Sequence, residues 1–348
     1  MPAQLTNPVK TEKRRFERAP RDYSQWLRRS MQLAFLALNA WIGIEFVLFV
    51  RYFESGGNSP RVARPPGIEG WLPIASLMNL KVLLRTGYIP RVHPAGLFLL
   101  IAFLGISWLL RKAFCSWLCP VGTISEYLWR IGKDTFNKNW RLPRGVDVAL
   151  RGLKYLLLGL FGYAILSMSV AGIRAFLEGP YGLIADVKLL NFFRYLSAGG
   201  AITLAALMLL SVFIQNFWCR YLCPYGALVG LFALASPLRI RRSAALCIDC
   251  GKCARECPSR LPVDQLITIQ SAECTGCLEC VAACSAAGAL VMSAGKRRTV
   301  PAWVIAAAIA VIFFGVYGFA LATGHWHTNF PDRVYRELVP RAQEFSHP

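Results

Sequence analysis

The sequence predicts an all-α polytopic membrane protein, with about five transmembrane helices, that carries a small inserted α+β domain. Three observations predict this. Of the 348 residues, 55% are hydrophobic and 17% are charged, whereas soluble domains are about 25% charged. Five apolar segments are long enough to cross a bilayer. Eight of the twelve cysteines are concentrated in one short segment after the fourth apolar stretch.

The apolar segments set the predicted topology. A transmembrane helix needs about 20 predominantly apolar residues. The five candidates are residues 31–50, 93–110, 152–172, 196–217 and 302–324. Two shorter runs, residues 71–84 and 225–238, are predicted to be interfacial, re-entrant or packed loop segments.

The basic residues predict the orientation. Of the 39 lysines and arginines, 27 fall in residues 1–30, 111–154 and 220–298. Because cytoplasmic loops carry the excess of basic residues, we expect these segments in the cytoplasm of a bacterial inner-membrane protein and the C-terminus in the periplasm. The net charge of +20 also raises nucleic acid as a partner. The sequence contains no nucleic-acid-binding motif, so membrane lipid is the predicted partner.

The membrane part contains an internal repeat. Residues 114–122 and 218–226 both read aromatic-C-x-aromatic-L-C-P-x-G. Each motif closes a predicted two-helix hairpin, residues 31–125 and 126–238, and a Glu-Gly pair precedes each in the outer connection. Two matching hairpins that end on the same face form a parallel repeat.

The polar segment after the second repeat carries two C-x2-C-x2-C-x3-C runs. This is the spacing of bacterial two-cluster ferredoxins, in which the fourth cysteine of each run binds the other cluster. Zinc sites need only C-x2-C pairs and do not explain the third and fourth cysteines. The sequence therefore predicts a two-cluster, ferredoxin-like domain over residues 239–295. One 4Fe–4S cluster is assigned to Cys247, Cys250, Cys253 and Cys284, and the second to Cys274, Cys277, Cys280 and Cys257.

The repeat motifs supply the other four cysteines, Cys115, Cys119, Cys219 and Cys223. The repeat places the two pairs together at the cytoplasmic membrane surface. Four thiols there suit a further cluster or a soft metal such as Cu(I), or redox thiols at a point of electron entry. Buried structural cysteines are the remaining interpretation. The complete repetition of the motif favours a redox or metal site.

A few ionisable residues are candidates for a quinol or proton site. Glu45 lies inside the first span, where an ionisable group is often functional but can also face the bundle neutral or paired. Glu69, His93 and Glu178 fall on the predicted outer side and form a separate candidate quinol pocket. His325 and His327 beside Trp326 either form a candidate metal site or simply lie at the membrane interface.

The two C-x3-C-P motifs and the eight clustered cysteines together resemble the membrane-bound polyferredoxin family typified by NapH, and are similar to the C-terminal half of NosR and to CcoG proteins. The resemblance covers most of the chain. It implies electron transfer between a quinone pool or cytoplasmic donor and a periplasmic reductase, cytochrome or flavoprotein, or the maturation system of such an enzyme.

The sequence leaves three functions open. The first is a redox conduit, the second a copper-reducing assembly factor, and the third a redox-sensing regulator. We expect an electron-transfer component without substrate turnover of its own. The predicted order is a basic tail (1–30), the two membrane halves, the ferredoxin-like domain, a fifth transmembrane helix (302–324) and an outer tail (325–348).

Overall fold

The computed structural model of the chain describes residues 17–20, 22–137, 139–295 and 298–347. The predicted basic tail, residues 1–30, falls largely outside these. The part that begins at Ser24 is already helical.

The described chain is mostly helical, with one small sheet. The helices are α1 (Ser24–Glu54), α2 (Pro73–Thr86), α3 (Pro94–Leu110), α4 (Pro120–Phe136), α5 (Arg144–Ser167), α6 (Val170–Glu178), α7 (Pro180–Leu183), α8 (Ala185–Arg194), α9 (Ala198–Phe213), α10 (Pro224–Leu234), α11 (Lys252–Arg255), α12 (Glu279–Ala282), α13 (Ala302–Ala322) and α14 (Asp332–Leu338). A 3-10 turn covers Pro66–Trp71, and π-helical turns cover Phe114–Leu118 and Trp218–Leu222. The strands are β1 (Leu238–Arg242), β2 (Thr268–Ile269), β3 (Leu290–Ala294) and β4 (Arg298–Thr299).

Helices of membrane-spanning length are present, as the hydropathy predicts. In the described residues, α1, α5 and α13 are long and apolar enough to cross a bilayer. A fourth span results if α8 and α9, which meet at an angle of 84°, are counted together. The predicted number of five is not established, because α3 has 17 residues, or about 26 Å at 1.5 Å per residue.

Helix α3 lies at the centre of the membrane part. Most of its side chains are buried on all sides, and it packs against α2, α10 and α13. A helix that is apolar all round belongs in such an interior position. This explains why the hydropathy of α3 matches that of a lipid-facing span.

Two predicted spans have different ends in the structure. The third begins earlier, at Arg144, and ends at Ser167, where Ser169 caps the next helix by accepting a hydrogen bond from the Gly172 amide. The fourth begins at Ala198 under a similar Ser197 cap and ends at Phe213. Serine at an N-cap satisfies a free amide of the first turn. Ser169 therefore interrupts the predicted third span, and Ser197 begins the helix of the fourth.

The ferredoxin-like segment folds as a four-stranded antiparallel sheet in the order β2-β1-β3-β4, with the short helices α11 and α12 beside it. Ile240 on β1 lies opposite Ile269 and Met292 on the neighbouring strands. These side chains are buried in the same hydrophobic cluster as α3 residues such as Ile106. The domain therefore shares one core with the membrane helices.

A buried arginine joins the two parts. Arg28 on α1 has no exposed surface. Its guanidinium donates to Glu126 on α4 and to Glu279 on α12, each at 2.7 Å, and to the carbonyl of Ser116 at 3.1 Å. Burial would raise the pKa of Glu126, but Arg28 and Arg130 hold that pKa at about 2. The carboxylate is thus charged and paired at any physiological pH.

We expect Glu126→Gln to destabilise the protein by up to about 3 kcal/mol, because it removes one of the two carboxylate partners of the buried Arg28. The matched control is Glu256→Gln, which removes the half-exposed pair of Glu256 with Lys133 and should cost less than about 1 kcal/mol. Thermal unfolding in detergent measures both. Equal effects of the two variants would contradict the joining role of Arg28.

Candidate redox site

The eight cysteines of the ferredoxin-like domain assemble into two groups. In the first, Cys284 of the second run lies near Cys247 and Cys250. Burial and the charges of those two neighbours raise the pKa of Cys284. Burial and the charges of Cys284 and Cys247 likewise raise the pKa of Cys253. We call Cys247, Cys250, Cys253 and Cys284 the distal group.

The second group is Cys257, Cys274, Cys277 and Cys280, which we call the docked group. All four thiols are buried and line one cavity. Burial and the charges of Cys277, Cys257 and Cys274 raise the pKa of Cys280 well above its usual value, and Cys253 of the distal group adds to this. The two groups are therefore adjacent, and each combines three cysteines of one run with the fourth cysteine of the other.

The loops that present these thiols turn through left-handed backbone positions. Gly251 and Gly276 have φ of 66° and 63°, a region that glycine enters without strain. Gly251 immediately precedes α11. Gly276 also lies close to the membrane part, where an added Cβ would meet the Cβ of Arg111 at 3.4 Å.

The C-x3-C-P motifs have the same local structure in both repeats. Cys115 and Cys219 lie in the π-helical turns, while Cys119 and Cys223 are extended residues that cap α4 and α10, each of which begins at the following proline. Proline suits the first turn of a helix because its missing amide is not needed there.

In each motif the glycine amide donates to the second sulfur, Gly122 to Cys119 at 3.4 Å and Gly226 to Cys223 at 3.2 Å. Cys115, Cys119, Cys219 and Cys223 line one cavity. We call them the four-cysteine site. The close approach requires glycine at position 122, where a Cβ would meet the carbonyl oxygen of Cys115 at 2.3 Å.

A buried lysine lies in the four-cysteine site. Lys112 is 4% exposed and lines the same cavity. Burial would lower the pKa of Lys112, but the charges of Cys115, Glu273, Cys223 and Cys219 raise it overall. The ammonium group therefore interacts electrostatically with these thiols.

Both motifs touch the docked group. Ser116 donates to the carbonyl of Thr275 at 2.7 Å, and the Trp117 indole donates to the carbonyl of Gly276 at 3.2 Å. From the second motif, Arg220 donates to the carbonyl of Pro258, next to Cys257, at 3.4 Å. The ligand loops of the docked group therefore rest directly on the four-cysteine site.

A chamber of about 620 Å³ extends from the four-cysteine site into the membrane part. Its α1 wall runs from Phe35 to Glu45, which is about 15 Å at 1.5 Å per residue. Phe313 and Tyr317 on α13 form another wall, and the 3-10 turn Pro66–Trp71 forms the end remote from the cysteines. Glu45, predicted as a quinol or proton residue, is part of this lining.

The other predicted quinol residues lie elsewhere. Glu69 and His93 are buried together, with His93 Nδ1 3.6 Å from Glu69 Oε1. Arg64 pairs with Glu69 at 2.7 Å and with Asp186 at 2.6 Å. Burial raises the pKa of Glu69, but Arg64 and His93 bring it to about 2.

Glu178, in contrast, ends α6 with an exposed side chain and takes no part in the hydrogen bonds of that cluster within the described residues. The structure thus brings Glu69 and His93 together in a closed ion-paired cluster, and the two Glu-Gly pairs of the repeat have different environments.

The outer histidines are also separate. His325 faces the Phe98 ring at 6.5 Å, and His327 is exposed. In the part of the chain that the structure describes, no group of three His, Cys, Asp or Glu side chains is arranged to hold a metal ion.

Sequence reasoning missed Arg28 and Lys112. Both were counted only as basic residues that orient the protein. The available signal for Lys112 was its position three residues before Cys115. Nothing local marks Arg28, because its partners Glu126 and Glu279 are distant in sequence.

Comparison with known proteins agrees with this geometry. A family model described as a 4Fe-4S binding domain matches residues 92–143 and 196–243, the two segments that carry the C-x3-C-P motifs. A second, described as a 4Fe-4S dicluster domain, matches residues 239–285. YccM of Escherichia coli (strain K12), whose name describes it as a candidate electron transport protein, is 48% identical over 333 residues, covering 94% of this chain and 93% of YccM.

The chain belongs to the NapH/NosR-like family of 4Fe–4S membrane proteins. The regulatory protein NosR of Pseudomonas aeruginosa is 31% identical over 53% of this chain and 25% of NosR. The ferredoxin-type protein NapH of Escherichia coli (strain K12) is 25% identical over 50% of this chain and 60% of NapH. No solved structure matches the chain. Membership in this family makes the protein a membrane-bound iron–sulfur protein with a role in electron transfer.

Paired cysteine substitutions test the two groups. Cys247→Ala with Cys284→Ala removes two ligands from the distal group alone and should cost about four irons, the content of one cluster. Cys247→Ala with Cys257→Ala removes one ligand from each group and should affect both clusters. Iron analysis and EPR of the reduced proteins distinguish them. Ligation of each cluster by a single run would reverse the two results.

Proposed function

We propose that this protein passes electrons between a quinone bound in the chamber and a redox partner protein that docks near the distal group, through two 4Fe–4S clusters. The observation that carries the proposal is continuity. The chamber touches the four-cysteine site, that site touches the docked group, and the docked group touches the distal group.

The cysteine groups suit the clusters by the chemistry of their donors. Four thiolates bind a 4Fe–4S cluster, and each group offers four neighbouring cysteines. When bound, the clusters supply one-electron chemistry. The chain holds the thiolates in place, buries the docked group and keeps water away from it.

The chamber suits a quinone by size and lining. Small-molecule sites have volumes of about 300–1,000 Å³ and are mostly apolar, with a few polar groups. Phe35, Ile42 and Phe313 supply the apolar lining, and Asn39 and Glu45 supply polar groups. Leu38, Trp41 and Phe314 also line it and are exposed on the helix surface, which supports entry of an apolar molecule from the bilayer.

Oxidation of a quinol to a quinone releases two electrons and two protons. When a quinol is the donor, the two electrons leave one at a time toward the four-cysteine site. One proton passes to the carboxylate of Glu45 in the chamber, and the second passes to the surrounding water. The reverse direction uses the same groups. The chamber extends about 15 Å along α1, from Phe35 to Glu45. A quinone bound in it therefore reaches deeper into the membrane part than a cluster at one face of the membrane.

The distal group supports a docking place for a soluble partner. Cys250 is exposed, as is the neighbouring Ile248 at 43%, whereas the docked group is covered by the membrane part. With the basic segments in the cytoplasm, this surface faces the cytoplasm. Electrons bound for a periplasmic reductase or its maturation system leave from the chamber side of the protein.

Blocking the chamber tests the quinone step. Ile42→Trp places a larger side chain in the space that the quinone would occupy, and such overpacking costs about 1–3 kcal/mol. A cost of about 1.4 kcal/mol corresponds to a factor of ten. We therefore expect reoxidation of the dithionite-reduced clusters by a quinone analogue to slow by about tenfold. The matched control is Ile44→Trp. Ile44 lies on the same helix, is 58% exposed and does not line the chamber.

Stopped-flow absorbance of the clusters measures the rate, with iron content as a check on the folding of each variant. Equal slowing in both variants would contradict the chamber as the quinone site. Failure of the unaltered protein to react with any quinone analogue would exclude a quinone as its electron donor or acceptor.

A further inference from the structure

The four-cysteine site contains a buried cation. Lys112 is 4% exposed and lines the same cavity as the four thiols. An isolated buried ammonium is strongly unfavourable unless an opposite charge compensates it. The groups that face it are Cys115, Cys219, Cys223 and, from the ferredoxin-like domain, Glu273.

Glu273 is shared between two lysines. Its carboxylate accepts from Lys154 at 2.5 Å and from the Tyr155 hydroxyl at 2.9 Å. Burial would raise the pKa of this carboxylate, but the charge of Lys112 also helps to lower it. One carboxylate thus faces two ammonium groups, so the thiols or a group that they bind supply the further counter-charge for Lys112.

Two helix N-termini add positive potential to the same place. Helices α4 and α10, of 17 and 11 residues, begin immediately after Cys119 and Cys223. An N-terminus carries about half a positive charge. The first-turn amides of Gly122 and Gly226 also donate to the two sulfurs, and hydrogen bonds to cluster sulfurs are one means by which proteins tune an iron–sulfur centre.

The donor set and the family model together favour a 4Fe–4S cluster. Each repeat contributes two thiols to the same cavity, and four thiolates are the ligands of a 4Fe–4S cluster. The 4Fe-4S binding family model covers both motifs, and neither of its two matched segments includes the ferredoxin-like cysteines.

We infer that Cys115, Cys119, Cys219 and Cys223 bind a third 4Fe–4S cluster between the docked group and the chamber, with Lys112 as the positioning residue that balances its charge. This inference rests on the proposed electron path and names the cofactor through which that path reaches the chamber. The anaerobically purified protein should then contain about twelve irons per chain, in three four-iron clusters.

Paired substitutions separate the three centres. Cys115→Ser with Cys219→Ser should lose about four irons and keep the signals of the ferredoxin-like clusters. Cys257→Ser with Cys274→Ser is the matched control, because it should remove the docked cluster and keep the third. Iron and sulfide analysis, with Mössbauer spectroscopy, gives the count.

About eight irons in the unaltered protein, or unchanged iron in the Cys115/Cys219 variant, would overturn the inference. Stoichiometric copper in place of the third set of irons would do the same. Eight irons together with intact quinone reactivity would reject the third cluster alone, whereas twelve irons without quinone reactivity would reject the proposed function alone.

The role of Lys112 has its own readout. Reduction adds a negative charge to the cluster, so removal of the buried cation in Lys112→Met should lower the midpoint potential of the third cluster. Lys133→Met removes a lysine that is 44% exposed and pairs with Glu256, and should leave that potential unchanged. Equal potentials in the two variants, with iron content retained, would reject Lys112 as the balancing charge.

Discussion

A single buried guanidinium, that of Arg28, fixes the relation between the membrane helices and the ferredoxin-like domain. Its side chain has no exposed surface, and its partners come from α4 and α12, on opposite sides of the boundary. A buried charge that loses one partner is strongly destabilised, so the two parts cannot separate without exposing it or leaving it unpaired. Gln25, one turn earlier on the same helix, donates to the carbonyl of Cys277 at 2.9 Å and holds the cluster loop itself.

This constraint orders the redox groups. The loop of the docked group rests on the π-helical turn of the first repeat, and Pro258 rests on that of the second. Because both repeats contribute, the docked group lies between the distal group and the four-cysteine site. The chamber continues this order into the membrane part. Exposure decreases from Cys250, which is exposed, to the docked group, which is buried. A partner protein therefore has access to one end of the series and an apolar molecule to the other.

The sequence was informative where chemistry fixes the spacing of residues. The two cysteine runs predict two crosswise ligand groups, and the repeated nine-residue motif predicts one site for four further thiols. The structure brings these thiols to neighbouring positions, and their ligation stays a prediction. Hydropathy was less informative about helix ends. It extended the third span past the end of α5 into α6, since Ser169 caps α6 through a hydrogen bond that hydropathy does not register, and it extended the fourth span four residues beyond the end of α9.

Hydropathy also could not separate α3, which is buried among helices, from α13, in which few side chains are buried. Pairs that are distant in sequence were beyond sequence reasoning altogether. Arg28 and Glu279 are 251 positions apart, and neither has a local pattern. The outer glutamates were grouped in one pocket only because the predicted topology places both on the same side, whereas Glu69 is buried in ion pairs and Glu178 is exposed.

The most direct test of the account is a cryo-EM map of the anaerobically purified protein in lipid nanodiscs. The account predicts metal-cluster density in a row: at the distal group, at the docked group, and between Cys115 and Cys219 at the mouth of the chamber. Density for the ferredoxin-like domain away from the π-helical turns, or an uninterrupted protein or lipid density between those two cysteines, would contradict it.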